Sequence, residues 1–183
     1  MKDYKISLAG DIGSGKSTIG QILSEKYSLE KVSIGNILRD MAKEYGMDVN
    51  EFNAYMETHP EIDNILDTKL KEYECKSGRF LFDSRMAWYF VPSSFSVYVG
   101  VSPHIAAKRI IDAGRSSEIY KNIDEAINGI KSRRQSEILR YSNLYSVDIQ
   151  DMKNYDLVID TDDKTPIEVA NIVCSEFEKW LNK

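Results

Sequence analysis

The stretch Tyr4-Lys5-Ile6-Ser7-Leu8-Ala9-Gly10-Asp11-Ile12-Gly13-Ser14-Gly15-Lys16-Ser17-Thr18 decides the fold class of this chain. Residues 4–9 read as a strand, residues 10–15 as a glycine-rich turn, and residues 16–27 as a helix. In that helix Ile19, Ile22, Leu23 and Tyr27 share one stripe. From Gly10 to Ser17 the segment matches G-x-x-x-x-G-K-[ST] at every fixed position. The glycines allow a tight turn in which successive N–H groups of Gly10, Asp11, Ile12, Gly13, Ser14 and Gly15 converge on an anion, with Thr18 behind them. The helix that follows points the positive end of its dipole at the same place. Lys16 is expected to reach the β- and γ-phosphates of ATP, and the Ser17 hydroxyl to bind Mg²⁺.

Strand and helix then alternate outward from this turn. Further strands are expected at residues 31–34, 79–82, 95–101 and 156–160. R-F-L-F and D-L-V-I are near-continuous apolar runs of the kind covered on both faces. Residues 36–45 carry Ile37, Leu38, Met41, Ala42 and Tyr45 at helical spacing and stop at Gly46. Asp48 and Glu51 form a capping-box pattern. Residues 61–75 repeat the helical spacing with Ile62, Ile65, Leu66, Lys69, Leu70 and Tyr73. Thr165-Pro166-Ile167-Glu168 opens a last helix with the stripe Val169, Ile172, Val173, Phe177, Trp180 and Leu181. Such alternation implies a mostly parallel sheet with helices on both faces and a ligand at the carboxyl ends of the strands. The helical residues 36–75 exceed a simple crossover and are expected to fold over the site as an insertion.

Composition restricts the function classes. The chain has 183 residues, 42% apolar and 29% charged, with a net charge of −5. That is one ordinary globular domain and not a generic nucleic-acid binder, whose affinity needs a basic surface. No stretch has the ~18 consecutive apolar residues of a membrane span, and a cytoplasmic monomer is expected. Cys75 and Cys174 are far apart and are read as buried thiols. His59 and His104 are read as loop or cap residues. Asp83 ends the R-F-L-F run, where a carboxylate would meet the metal; it also suits a turn cap. The guanine motif N-K-x-D is missing and no D-x-x-G follows Asp83, so a kinase of small molecules fits better than a GTPase.

Transfer between two anions requires positioned cations. The candidates are Arg39, Arg85, Arg109, Arg115, Arg133, Arg134 and Arg140. Arg133, Glu137 and Arg140, at i, i+4 and i+7, share a helical wedge of about 60°. A solvated face with one ion pair has the same spacing. Arg134 falls on the packed side with Ile127, Ile130, Ile138 and Tyr141 and has no assigned role; either it turns into the site or its stem snorkels.

Several blocks, in order, resemble the cytidylate kinases of the compact, archaeal-like type. They are G-D-I-G-S-G-K-S-T at 10–18, S-I-G-N-I-L-R at 33–39, P-E-I-D-N-I-L-D at 60–67, D-S-R-M-A at 83–87, S-R-R-Q-S-E-I-L-R-Y at 132–141 and Y-S-V-D-I-Q-D-M-K-N-Y-D-L-V-I-D-T at 145–161. The resemblance implies a five-stranded parallel sheet, with a core at 1–34, 76–108 and 121–183. It also implies a monophosphate-binding insertion at 35–75 and a lid at 109–120. It implies that Ser33, Arg39, Asp83, Arg85, Glu137 and Arg140 bind the acceptor. Glu137 would meet the cytosine or ribose, and Arg133 the transferring phosphoryl group. Asn36 stands where the family has aspartate and Ser84 where it has glycine. Ala113 and Gly114 replace the lid pair, so Arg115 would act from a shifted register. The implied activity is ATP- and Mg²⁺-dependent phosphorylation of CMP or dCMP. A P-loop kinase of another metabolite, such as dephospho-coenzyme A, and a nucleotide-binding regulator are the alternatives.

Overall fold

A computed structural model describes residues 3–114 and 120–182. Its five strands are β1 (Tyr4–Gly10), β2 (Glu30–Ser33), β3 (Arg79–Asp83), β4 (Phe95–Gly100) and β5 (Leu157–Asp160). They form one parallel sheet in the order β2-β3-β1-β4-β5. The eight helices among the described residues are α1 (Lys16–Tyr27), α2 (Ile34–Glu44), α3 (Val49–Met56), α4 (Pro60–Cys75), α5 (Ala87–Phe90), α6 (Pro103–Ala113), α7 (Ile123–Tyr145) and α8 (Pro166–Leu181). The five-stranded parallel fold is therefore the expected one. Because β1 lies between β3 and β4, the loop after it opens at the switch point of the sheet.

Period-2 alternation in β3 shows why both faces are covered. Leu81 packs with Ile6, Leu8, Ile19, Leu23, Val173 and Phe177, under α1 and α8. Phe80 and Phe82 turn the other way, to Leu38, Phe52, Leu66, Leu70 and Tyr141 from the insertion and α7. A third cluster, with Ile12, Ala107, Ile110, Ala126 and Ile130, joins α6 and α7 beneath the phosphate loop.

Local chemistry sets the element ends. Gly10, at φ 137°, lies so close to β4 that a Cβ would stand 2.1 Å from the Val99 carbonyl oxygen. Gly15, at φ 86°, begins α1 in the left-handed region. The Ser33 hydroxyl accepts the Asn36 N–H at 3.3 Å, so helix begins at Ile34 and β2 ends one residue earlier than expected. Both expected capping boxes form, Asp48 with Glu51 and Thr165 with Glu168.

Several burial expectations need correction. Val158 of the last strand is 47% exposed, because β5 is an edge of the sheet. Ile65 and Ile172 face outward from α4 and α8. Cys174 is buried but Cys75 is exposed, and both are free thiols. His59 is the N-cap residue of α4, stacked on Tyr55.

Candidate active site

The sheet's carboxyl edge carries a cleft of about 400 Å³, with the phosphate loop along one wall. Residues 12–18 line it directly. The N–H groups of Gly15, Lys16 and Ser17 have no acceptor among the described residues and are available to an anion. Lys16 Nζ is folded back into the loop. It donates to the Gly10 carbonyl at 2.9 Å, to the Asp11 carbonyl and to Ser14 Oγ at 3.2 Å. Burial first, then the nearby Arg85 charge, push the Lys16 amine well below its ordinary range. The negative charge of a phosphate group would oppose both effects and favour the charged form of Lys16.

The register Leu8↔Asp83 sets the end of β3 beside the loop. There Ser17 Oγ donates to Asp83 Oδ2 at 3.0 Å. This brings the expected metal pair together, and two adjacent hard oxygens suit a hard divalent cation. Lys31 Nζ, not anticipated, donates to the Ser17 carbonyl at 3.0 Å.

Across the cleft, Arg85 donates from Nε to Glu137 Oε2 at 2.8 Å and from Nη1 to the Gly10 carbonyl. Arg133 Nε lies 3.4 Å from Glu137 Oε1, and Arg134 Nη1 lies 3.8 Å from Oε2. The wedge on α7 is thus buried against the site and is no solvated face: Glu137 is 3% exposed and Arg140 is 3% exposed. Burial alone would raise the Glu137 carboxyl, but Arg85, Arg133 and Arg134 hold it at about 2. Glu137 lines the cleft as expected. Its two oxygens face arginines, for which it is the shared counter-ion in this structure.

Arg140 is gripped from the insertion. Its Nε donates to Asp63 Oδ2 at 3.0 Å, and its Nη1 to the carbonyl and Oδ1 of Asn53, each at 3.1 Å. Nη2 is buried without a hydrogen-bond partner among the described residues. A buried guanidinium held on one side and unsatisfied on the other can accept an anion as its missing partner. Arg39 also lines the cleft and donates to Asn36 Oδ1. Ser33, expected to contact the acceptor, instead caps α2 and is not a cleft-lining residue. The Asp11 side chain likewise turns away from the cleft, accepting from Tyr98 Oη at 2.8 Å and from the Val101 N–H at 3.1 Å.

Residues 109–113, expected to begin a lid, are the last residues of α6. Arg109 donates to Thr161 Oγ1 at 3.0 Å and to the Thr161 carbonyl at 2.7 Å. With Lys164 these residues line the cleft's far end, beyond the phosphate loop. Arg115 lies outside the described residues. Sequence spacing missed Asn53, Asp63, Tyr98, Thr161 and Lys164, which reach the site only by tertiary packing.

Residues 6–129 match the family described as an AAA domain. A cytidylate kinase of Methanococcus maripaludis is 36% identical over 173 residues, covering 92% of this chain and 94% of that protein. One of Thermoplasma volcanium is 33% identical over 98% of this chain and 94% of its own. The chain belongs to the cytidylate kinase family. Membership in that family makes it a P-loop nucleoside monophosphate kinase by class. An S-adenosylmethionine-dependent nucleotide dehydratase of Lacinutrix mariniflava is 41% identical over 177 residues, 96% of this chain. The chain spans 36% of that protein's length. Among solved structures, a shikimate kinase of Acinetobacter baumannii has a TM-score of 0.61 at 15% identity, covering 97% of this chain and 94% of that one. A deoxyadenosine kinase of M. mycoides with bound dATP has a TM-score of 0.55 at 17% identity, over 95% and 99%. These two share the fold of the cytidylate kinase family chain described here. No helix among the described residues is long and apolar enough to cross a membrane.

Proposed function

We propose that this chain transfers the γ-phosphoryl group of ATP to the phosphate of CMP or dCMP. The observation that carries the proposal is that Lys16, on the phosphate loop, and the buried, half-satisfied Arg140 line one cleft. One end has the backbone donors for a triphosphate; the other has arginines for a second phosphate. The cytosine preference rests on the names of the relatives that match almost the whole chain.

In this account a phosphate oxygen of the acceptor attacks the γ-phosphorus as its bond to the β–γ bridging oxygen breaks, leaving ADP. The acceptor is already an anion, so no strong base is needed, and catalysis consists of positioning and charge. Lys16 follows the transferring group. Arg85 and Arg140 hold the acceptor phosphate, Arg133 and Arg39 add positive charge, and Glu137 keeps the arginines in register. Ser17 and Asp83 would hold Mg²⁺, which supplies charge neutralisation on the donor phosphates. ADP release measured against a panel of acceptors tests this: CMP and dCMP should lead UMP and AMP in kcat/KM. A stronger response to a non-nucleotide acceptor would overturn it.

The dehydratase relative favours a second, compatible reading, in which the phosphorylated product passes to an S-adenosylmethionine-dependent nucleotide dehydration. Its test is a coupled reaction with such a dehydratase, read by mass spectrometry. A dehydrated nucleotide that appears only when this kinase is present supports the reading; equal yields with and without it would remove it.

A further inference from the structure

Arg134 has no part in the phosphoryl transfer just described, yet it does not point to solvent. Its Nη2 donates to the Tyr98 hydroxyl at 3.1 Å while Nη1 lies 3.8 Å from Glu137 Oε2. Tyr98, on β4 and 5% exposed, passes its own hydrogen to Asp11 Oδ1 at 2.8 Å. On the other side, Arg85 joins Glu137 to the Gly10 carbonyl. Gly10 and Asp11 are consecutive residues, and Arg134 and Glu137 share one turn of α7. The contacts therefore close a ring: Gly10, Arg85, Glu137, Arg134, Tyr98, Asp11.

Two physical problems meet in that ring. An acid inside a phosphate loop repels the anion the loop must bind, unless its charge is turned away and matched. Here the Tyr98 O–H and the Val101 N–H hold the Asp11 carboxylate toward β4, and Arg134 stands one bond further on. Second, in-line transfer tolerates errors of only about 1 Å between the reacting groups. The loop that carries the donor and the helix that carries the arginines need a fixed separation. The Tyr98 hydroxyl is suited to both tasks because it donates and accepts at once.

We propose that Tyr98 and Arg134 are positioning residues, which hold the first peptide of the phosphate loop at a set distance from the arginine turn of α7 and keep the Asp11 carboxylate off the donor phosphates. The alignment half of this inference rests on the proposed phosphoryl transfer; the half concerning Asp11 requires only ATP binding.

The test is a double-mutant cycle on the full chain, with ATP affinity measured by calorimetry without an acceptor. Tyr98→Phe and Arg134→Ala should each weaken ATP binding about 5- to 20-fold, and together little more than the worse single change, since each opens the same ring. Adding Asp11→Asn to Tyr98→Phe should restore most of the affinity, because the repelling charge is gone; a loss of packing would not be rescued this way. With acceptor present, kcat should fall in the single variants while the acceptor KM stays within about twofold. Circular dichroism confirms the fold of each variant, and Arg134→Ala with Asp11→Asn carries the test if Tyr98→Phe does not fold. Wild-type ATP affinity in folded variants, multiplying losses, or no rescue by Asp11→Asn would overturn the inference. If wild type binds ATP but phosphorylates no monophosphate, the proposed function fails, and the binding cycle still decides the ring.

Discussion

The two ends of the cleft are built on different principles. The donor end is one contiguous octapeptide, and its working groups are chiefly main-chain N–H groups that the strand–turn–helix geometry aims. The proposed acceptor end collects side chains from α2, α3, α4, the turn after β3 and α7, with four arginines set against two carboxylates. Glu137 serves Arg85, Arg133 and Arg134, and Asp63 serves Arg140. Lys16 has no carboxylate partner among the described residues and rests on loop carbonyls and the Ser14 hydroxyl. The difference teaches that changes at the donor end should cost activity with the fold intact. Changes at the acceptor end should cost stability as well.

The largest effect expected from this contrast is at Glu137. Glu137→Ala strands a cluster of buried guanidinium charge and should destabilise by about 3–5 kcal/mol, read from the urea midpoint. A wild-type midpoint would mean that the acceptor wall is not held by its ion pairs. Lys16→Ala comes next and in the other currency: kcat should fall about 10²- to 10³-fold with an unchanged melting temperature. A large loss of stability there would erase the distinction between the two ends.

A sharper test uses two carboxylates of the acceptor side. Glu137, ringed by arginines, titrates at about 2. Asp67 on α4 is pushed up to about 6 by burial and by Asp63, opposed by its hydrogen bond from Tyr145. A carboxyl raised above its unfolded value holds its proton longer in the folded state. Stability therefore falls as pH rises from about 4 to about 6, and the penalty is complete above that window. Glu137 has the opposite sign: its contribution is present above its unfolded value and is lost as pH falls toward 2. Asp67→Asn should flatten the curve between pH 4 and 6 and raise stability at pH 7 by roughly 2–3 kcal/mol. Unchanged stability at pH 7 would contradict the cost of burying the Asp67 carboxylate beside Asp63. The smallest effect is expected at Asp48, whose side chain caps α3, the helix that presents Asn53 to Arg140. Asp48→Ala should cost about 1 kcal/mol and raise the acceptor KM more than the ATP KM. Equal changes in both KM values would detach α3 from acceptor binding.

The same contrast explains what was legible in the sequence. A motif whose chemistry lies in its own backbone announces itself, so the phosphate loop, Ser17 and the start of α1 were readable at once. The strands followed from apolar runs, and both capping boxes from residue spacing. The α7 wedge was visible as a spacing, but its partners were not. Nothing local says that Glu137 will face Arg85, 52 positions away, or that Asn53 and Asp63 will clasp Arg140. The resemblance offers Glu137 to the base, while its arginine partners are set by tertiary packing alone. Ser33 is ambiguous in the sequence because a hydroxyl before a helix serves equally as a cap, as it does here, and as a ligand. Ile65, Ile172 and Val158 fit an apolar pattern but lie outside the faces that packing selected. No local pattern places Arg134 either: its partner Tyr98 lies on β4, and Tyr98 in turn holds Asp11 of the phosphate loop.

The central claim is that the γ-phosphoryl group of ATP moves onto the phosphate of a pyrimidine nucleoside monophosphate. It is tested most directly by incubating the chain with CMP and ATP labelled with ¹⁸O in the γ-phosphoryl group, then locating the label by mass spectrometry. The account predicts label in the β-phosphoryl group of CDP, in step with ADP release. Label found only in inorganic phosphate, with CMP unchanged, would contradict it.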